Sequence, residues 1–117
     1  MSRTVLVVDD HQGFRSRARL LLESEGYEVV GEAADGETAL AQAASLRPEV
    51  VLLDVQLPDT DGFDLAARLT RYGDAPAVVL TSSRDWSDSP ELIARSGARG
   101  FVPKDQLSGE AVGELLR

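Results

Sequence analysis

The stretch VVLLD (residues 50–54) is a run of four aliphatic residues that ends on an aspartate. A run that is apolar at every position is typical of a strand that is buried on both faces of a parallel sheet. Two further runs have the same pattern, VLVV (5–8) before a pair of aspartates and AVVL (77–80) before a threonine. The sequence therefore predicts three central strands, each of which ends at a polar side chain.

Strand-like runs alternate with segments of helical periodicity along the whole chain. A serine at position 89, followed by proline and glutamate, predicts a capped helix start. The predicted strands are Thr4–Val8, Tyr27–Ala33, Val50–Leu53, Ala77–Thr81 and Gly100–Pro103; the intervening helices end near Gly26, Arg47-Pro48, Gly73 and Gly97, and a fifth covers Ser108–Leu116. Five strand–helix units predict an α/β fold with helices on both faces of a five-stranded parallel sheet.

The order of the strands follows from which of them tolerate an edge position. The second strand contains Glu28 and Glu32, and the fifth is short and contains Pro103, which has no N–H to donate to a ladder. Charge, shortness and proline are typical of edge strands. The order 1-2-3-4-5 would expose the apolar first strand, so we expect 2-1-3-4-5. This is the flavodoxin-like, doubly wound (βα)5 order, which binds ligands where the first and third strands end.

Composition limits the class of protein. The 117 residues fit a single domain over 1–117, and the absence of cysteine excludes disulfides and thiolate metal sites. A net charge of −8 with no basic stripe argues against direct nucleic-acid binding by this domain. No apolar stretch is long enough for a membrane span, and the N-terminus has no signal-peptide pattern. We therefore expect a cytoplasmic domain without membrane contact.

The strand ends of the predicted sheet gather a particular set of side chains. Asp9 and Asp10 follow the first strand, Asp54 the third and Thr81 the fourth. Lys104 follows the fifth and is the only lysine among twelve basic residues. Clustered carboxylates need a cation, and Mg²⁺ is held by such oxygens together with phosphate and water. A lysine is a compact point charge that suits a phosphoryl oxygen, and an aspartate can form an acyl phosphate. Each residue alone is weak evidence, since strand-end acids are often caps; the set predicts a phosphoryl-transfer site.

The same residues resemble the receiver domain of bacterial two-component response regulators, the family that includes the chemotaxis response regulator. The acidic pair lies in VLVVDDH, the phosphoacceptor Asp54 in VVLLDVQLPDTDG, the switch hydroxyl Thr81 in AVVLTSS and the lysine in GARGFVPKD. The resemblance extends over the whole chain. One departure is Asp105, which stands after the lysine where many receivers have a proline in a cis bond.

The resemblance implies a role for each site residue. Asp10 would contact Mg²⁺ directly and Asp9 through water, while Asp54 would give a carboxylate oxygen and Gln56 a backbone carbonyl. Asp54, Thr81 and Lys104 would carry out the phosphoryl transfer.

Further residues near the site have two interpretations each. The resemblance makes Phe101 the switch aromatic that turns inward with Thr81, although core packing alone also explains a buried aromatic. Trp86, in the polar 82–90 segment, is either a partner anchor or a half-buried loop aromatic, and we favour the latter. We expect His11 to be an exposed loop histidine rather than a base or ligand.

The resemblance also implies partners. A sensor histidine kinase would donate the phosphoryl group, and the surface of the fourth helix, fifth strand and fifth helix would change to control a partner protein or output domain. A homodimer on phosphorylation is possible in such a scheme. The domain would be no enzyme beyond its self-catalysed phosphoryl transfer and autodephosphorylation.

Three other functions fit these residues less well. A degenerate receiver that acts by binding alone is disfavoured because all five key positions are present. A Mg²⁺-dependent aspartyl-phosphate phosphatase would show an acid two residues after its nucleophile, where Gln56 stands. A flavin-binding module would need a Ser/Thr/Gly-rich phosphate loop after the first strand, and DDHQGF (9–14) is acidic there.

Overall fold

The structure is a computed structural model that describes residues 2–71 and 74–117. Strands and helices alternate along these residues, and one short 3₁₀ helix, η1, precedes the last α-helix. The elements are β1 (Thr4–Val8), α1 (Gln12–Ser24), β2 (Glu28–Ala33), α2 (Gly36–Leu46), β3 (Val50–Asp54), α3 (Gly62–Leu69), β4 (Ala77–Ser82), α4 (Pro90–Arg95), β5 (Gly100–Pro103), η1 (Lys104–Gln106) and α5 (Gly109–Leu116).

The sheet is parallel and has the order β2-β1-β3-β4-β5, so the predicted fold class and order are confirmed. β1, β3 and β4 are central, and β2 and β5 form the edges. The central strands are buried along almost their whole length, as their uninterrupted apolar sequences predicted. The carboxyl ends of β1 and β3 lie next to each other, where ligands bind in this order.

Each face of the sheet has its own apolar core, because successive side chains of a strand point to opposite faces. Val5 and Val7 of β1 pack with residues of α1 and α5 on one face. Leu6 and Val8 pack with residues of α2 and α3 on the other. Neither face of β1 reaches solvent, so the strand is a rigid base for the acids that follow it.

Several element boundaries differ from the predictions. β2 begins at Glu28, one residue later than predicted, whereas β3 and β4 each extend one residue further, through Asp54 and Ser82. These polar residues continue the strands because each has a partner on the next strand. Asp54 pairs with Thr81 of β4, and Ser82 pairs with Pro103 of β5. α3 ends at Leu69; its predicted end near Gly73 lies outside the described residues.

The two helices that follow a serine, α4 and α5, begin differently. Ser108 caps α5, where its side chain accepts a hydrogen bond from the N–H of Ala111. Ser89 was predicted to cap α4, and this was wrong: its side chain makes no capping hydrogen bond. The backbone N–H of Ser89 donates to the carbonyl of Trp86 in a turn, and its ψ of 55° departs from the extended conformation of a normal N-cap.

Candidate functional site

The acids that follow β1 and β3 meet in one cluster at the carboxyl edge of the sheet. One ligand atom each from Asp9, Asp10, His11 and Asp54 lies within 4.8 Å of the others. Asp9 and Asp54 are buried, with 0% and 3% of their surface exposed, while Asp10 faces solvent. The predicted convergence of the three aspartates is therefore present, and it combines two buried carboxylates with one that solvent reaches.

Lys104 extends from the start of η1 into this cluster. Its Nζ atom lies 2.6 Å from Asp9 Oδ2 and 3.5 Å from Asp54 Oδ2. It also lies 4.5 Å from the centre of the Phe14 ring, so an aromatic face borders the ammonium group on one side. At 2.6 Å the ammonium group forms a close ion pair with Asp9 Oδ2. One lysine charge thus lies against two buried carboxylates.

Charge in the cluster is unbalanced. Burial raises the pKa of Asp54, and the neighbouring charge of Asp9 raises it further, although Lys104 and the N–H of Gln56 act in the opposite direction. A second positive charge would relieve this repulsion. The donor set is mostly carboxylate oxygen, and a single lysine charge faces the two buried carboxylates. These residues fit a hard divalent cation such as Mg²⁺.

The loop between β3 and α3 packs closely against Asp54. The N–H of Gln56 points back to Asp54 Oδ1 at 3.3 Å, and Gln56 forms an isolated bridge with Asp61. Gly62 donates its N–H to the carbonyl of Val55, and a Cβ atom at this glycine would come within 2.5 Å of the Asp54 carbonyl oxygen. The loop is thus folded back onto the end of β3, which places the Gln56 backbone beside the predicted phosphoacceptor.

The same loop is attached to the neighbouring helix by Asp59. Its Oδ1 and Oδ2 atoms accept hydrogen bonds from the N–H groups of Gly36 (2.8 Å) and Glu37 (3.1 Å) at the start of α2. These bonds lower the pKa of Asp59. Asp35 caps the same helix through the N–H of Thr38. A residue of the β3–α3 loop and a residue of the chain before α2 therefore share one helix end.

Thr81 lies beside Asp54 in the sheet. The two residues are register partners across β3 and β4, and Thr81 is completely buried. Its Oγ1 atom has no hydrogen-bond partner among the described residues. Phe101 of β5 is half-buried, pairs with Leu80 and packs against the core between the sheet and α3 and α4. The hydroxyl is therefore free to bond to a group added at the end of β3.

His11 and Trp86, which each had two interpretations, have different surroundings. The side chain of His11 is 71% exposed, as expected, yet its Nδ1 atom is 3.1 Å from Asp9 Oδ1 and 3.0 Å from Asp10 Oδ1. Trp86 is half-buried and packs edge-on against Phe63, with ring centres 5.3 Å apart. Trp86 thus belongs to the packing between the β4–α4 loop and α3.

Sequence reasoning missed two residues of α1 that contact Asp9 or Lys104. Arg15 of α1 donates through Nη1 to the backbone carbonyl of Asp9 at 2.6 Å and through Nε to Glu32 of β2 at 3.1 Å. Phe14, the preceding residue of α1, borders Lys104 with its ring. The available signal was spacing: the first turn of α1 directly follows the acidic pair, so residues 14 and 15 must lie near it.

The model of the response regulator receiver domain family matches residues 5–114 of the chain. The chain belongs to the response regulator receiver domain family. The receiver interpretation made from the motifs is therefore confirmed, and this domain functions in two-component signalling. The acidic cluster, Asp54 of β3 and Lys104 of η1 all lie within the matched residues.

Relatives of this receiver include longer proteins with different names. The transcription regulator BvgA of Bordetella pertussis is 39% identical over 116 residues, which cover 96% of this chain and 54% of that protein. A protein-glutamate methylesterase/protein-glutamine glutaminase of Alkalilimnicola ehrlichii is 39% identical over 107 residues, covering 89% of this chain and 27% of that protein. The chain thus spans about half the length, or less, of these curated relatives.

A solved structure supports the same assignment. The signal receiver domain of the response regulator NarL from Mycobacterium tuberculosis superimposes with a TM-score of 0.86 at 36% identity. The match covers 98% of this chain and 94% of that one. Within residues 2–71 and 74–117, no helix has the length and apolar character required to cross a membrane.

Proposed function

We propose that this receiver is a phosphorylation switch that accepts a phosphoryl group on Asp54 from a sensor histidine kinase, with Mg²⁺ bound at the acidic cluster. The observation that supports this most strongly is the convergence of Asp9, Asp54 and Lys104 around one small volume. A buried carboxylate with a raised pKa, beside another carboxylate and a lysine, is suited to phosphoryl transfer rather than to stabilising the fold.

In the proposed reaction a carboxylate oxygen of Asp54 attacks phosphorus. The bond from phosphorus to the imidazole nitrogen of the donor histidine breaks, and the electron pair remains on that nitrogen, which takes up a proton. Mg²⁺, held by the carboxylates of Asp10 and Asp54, by the Gln56 carbonyl and through water by Asp9, would neutralise charge on the phosphoryl oxygens. Lys104 would pair with one of those oxygens once Asp54 carries the phosphoryl group and its carboxylate charge is gone.

The readout of phosphorylation is proposed to start at Thr81. Its buried hydroxyl has no hydrogen-bond partner within residues 2–71 and 74–117, so a phosphoryl oxygen on the adjacent strand would give it one. Movement of Thr81 toward that oxygen would open space that Phe101 of β5 can enter. The surface formed by α4, β5 and α5 would change in consequence, and this is the surface proposed to control the downstream partner.

Several broader properties belong to the same proposal. Residues 1–117 act as a single receiver domain, without enzymatic activity other than self-catalysed phosphoryl transfer and autodephosphorylation. It works in the cytoplasm, through a kinase and a downstream protein or output domain, and does not itself bind nucleic acid or membrane. Phosphorylation would also allow a homodimer, through the surface that changes.

The switch can be tested by NMR. We expect acetyl phosphate with Mg²⁺ to shift amide resonances of Thr81, Phe101 and residues of α4 and α5 in the wild-type protein. The Asp54→Asn variant should show none of these shifts under the same conditions. Phosphorylation of wild-type Asp54 without any change at α4, β5 and α5 would contradict the proposed switch and favour a receiver that acts by binding alone.

A further inference from the structure

The carbonyl of Asp9 occupies a special position in the acidic cluster. It belongs to the planar peptide unit that joins Asp9 to Asp10, so its direction fixes the positions of the Asp10 N and Cα atoms, from which the Asp10 side chain starts. The N–H of Asp9 is fixed by a hydrogen bond of 3.0 Å to the carbonyl of Ala33 on β2. Beyond this point the β1 ladder stops, and the Asp9 carbonyl needs a donor from outside the sheet.

Arg15 supplies that donor. Its Nη1 atom lies 2.6 Å from the Asp9 carbonyl oxygen, and its side chain is only 15% exposed. A short hydrogen bond from a charged, shielded donor is among the stronger ones in proteins. The guanidinium group is planar and rigid, so fixing one nitrogen also fixes the other.

The second nitrogen of Arg15 is held by Glu32. The Nε atom donates to Glu32 Oε1 at 3.1 Å, and the other carboxylate oxygen of Glu32 accepts from Nε of Arg19 at 2.8 Å. The hydrogen bond from Arg19 is the largest cause of the lowered pKa of Glu32; burial raises this pKa, and the hydrogen bond from Arg15 lowers it again. The lowered pKa keeps this carboxylate ionised. The charge of Glu32 offsets that of Arg15, so the arginine supports the acidic cluster with little repulsion of a bound cation.

We propose that Arg15 is a positioning residue for metal binding, which orients the Asp9–Asp10 peptide so that both carboxylates face one cation. This inference rests on the proposed Mg²⁺-dependent function. Partners that orient metal ligands typically account for about 10–100-fold in metal affinity. Arg15→Met should therefore weaken Mg²⁺ affinity by about tenfold or more.

Arg19→Met is the matched control. Arg19 lies one turn further along α1 and also donates to the side chain of Glu32. The backbone carbonyl to which it donates is that of Val29, at 3.3 Å, and not that of Asp9. Both variants lose one arginine and one bond to Glu32. We expect similar melting temperatures for the two in EDTA, whereas only Arg15→Met should lose Mg²⁺ affinity.

The experiment is a MgCl₂ titration of the whole chain followed by amide shifts, with the ¹³C′ shift of Asp9 recorded without metal. The ¹³C′ shift should change in Arg15→Met and stay at the wild-type value in Arg19→Met. Arg15→Lys provides a second test if Arg15→Met does not fold: its Mg²⁺ affinity should be retained only if its Asp9 ¹³C′ shift is retained.

The two proposals fail in distinguishable ways. If wild-type protein binds Mg²⁺ and Arg15→Met binds it equally well, the positioning role is overturned while the proposed function stands. The same conclusion follows if Arg15→Lys loses the Asp9 hydrogen bond and keeps its affinity. If the wild type shows no Mg²⁺-dependent shifts at Asp9, Asp10 or Gln56, both the metal site and the role of Arg15 are overturned.

Discussion

Nζ of Lys104 lies 2.6 Å from Oδ2 of Asp9, so the only lysine of the chain is already paired with a buried carboxylate before any phosphoryl group arrives. The pairing explains how two buried acids coexist at the ends of neighbouring strands. The same ammonium group lies 3.5 Å from Asp54 Oδ2, so an oxygen of a phosphoryl group on Asp54 would compete with Asp9 for it. One side chain therefore stabilises the resting site and would sense the modified one.

Replacement of Lys104 should separate charge from geometry. Lys104→Arg keeps the charge but brings a planar, larger group next to Phe14, so we expect phosphorylation with a diminished change at α4, β5 and α5. Lys104→Met leaves Asp9 and Asp54 without their counter-charge and should lower the free energy of unfolding in EDTA by about 3 kcal/mol. Urea denaturation and amide shifts measure the two effects. A wild-type response in Lys104→Arg would remove the geometric requirement for lysine.

Thr81→Val should uncouple switching from stability. The variant replaces a buried hydroxyl that has no partner among the described residues with a methyl group of similar size. Because no hydrogen bond is lost, we expect the metal-free free energy of unfolding to be unchanged or higher by about 1 kcal/mol. Phosphorylation of Asp54 should continue, and the shift at Phe101 should disappear. A stability loss of several kcal/mol in urea would mean that the hydroxyl has a structural role.

Asp59 should make the stability depend on pH. Its pKa is lowered chiefly by the hydrogen bond from the N–H of Gly36, so the ionised form stabilises the fold. This contribution is complete above the usual aspartate pKa of about 3.9 and is lost as pH falls through the lowered value. Asp59→Asn should therefore melt at a lower temperature than wild type near neutral pH, and the difference should shrink as pH falls below the usual aspartate pKa.

The control for Asp59 is Asp105→Asn, which removes the same charge from an exposed position in η1. We expect this control to follow the wild-type melting curve at every pH. A difference between Asp59→Asn and wild type that stays constant across the acidic range would contradict the ionic attachment of the loop to α2.

Gly62 should be intolerant of any side chain. A Cβ atom there would lie 2.5 Å from the Asp54 carbonyl oxygen and 2.7 Å from the Val55 Cα, and both are backbone atoms that cannot turn aside. We expect Gly62→Ala to cost more than about 2 kcal/mol of unfolding free energy and to weaken Mg²⁺ binding. Gly13→Ala, in α1 with its nearest atom 3.6 Å away on a flexible arginine, should be neutral or slightly stabilising. Equal urea midpoints for the two variants would contradict this packing.

Much of the site could be predicted because parallel strands bring their carboxyl ends to one edge. The uninterrupted apolar runs identified β1, β3 and β4, and the charges of β2 with Pro103 of β5 identified the edges. Once that order was known, Asp9, Asp54 and Lys104 had to converge. Side chains at strand ends are fixed by the sheet, so sequence position translates directly into spatial position.

Contacts to backbone atoms could not be predicted in the same way. Every residue has a carbonyl and nearly every residue an N–H, so the bond from Arg15 to Asp9 has no signature in residue type. The link from Asp59 to the start of α2 joins it to two ordinary residues, 23 and 22 positions away, through their N–H groups. Ser89 shows the converse: a favourable capping residue lost its role because a local turn fixed its backbone.

Asp54→Asn is the variant on which the account depends, and its fold should survive. Burial raises the pKa of Asp54, with the charge of Asp9 as the second cause, so the ionised side chain works against folding above the usual aspartate pKa. The asparagine keeps an oxygen for the N–H of Gln56 and brings no charge. In EDTA near neutral pH its melting temperature should equal or exceed that of wild type.

The most direct test is intact-protein mass spectrometry after incubation with acetyl phosphate and Mg²⁺, beside Asp54→Asn and an EDTA control. We predict the gain of a single phosphoryl group by the wild type and none in either control. Undiminished labelling of a folded Asp54→Asn variant would contradict the assignment of the phosphoacceptor, and labelling that persists in EDTA would contradict the role of the metal.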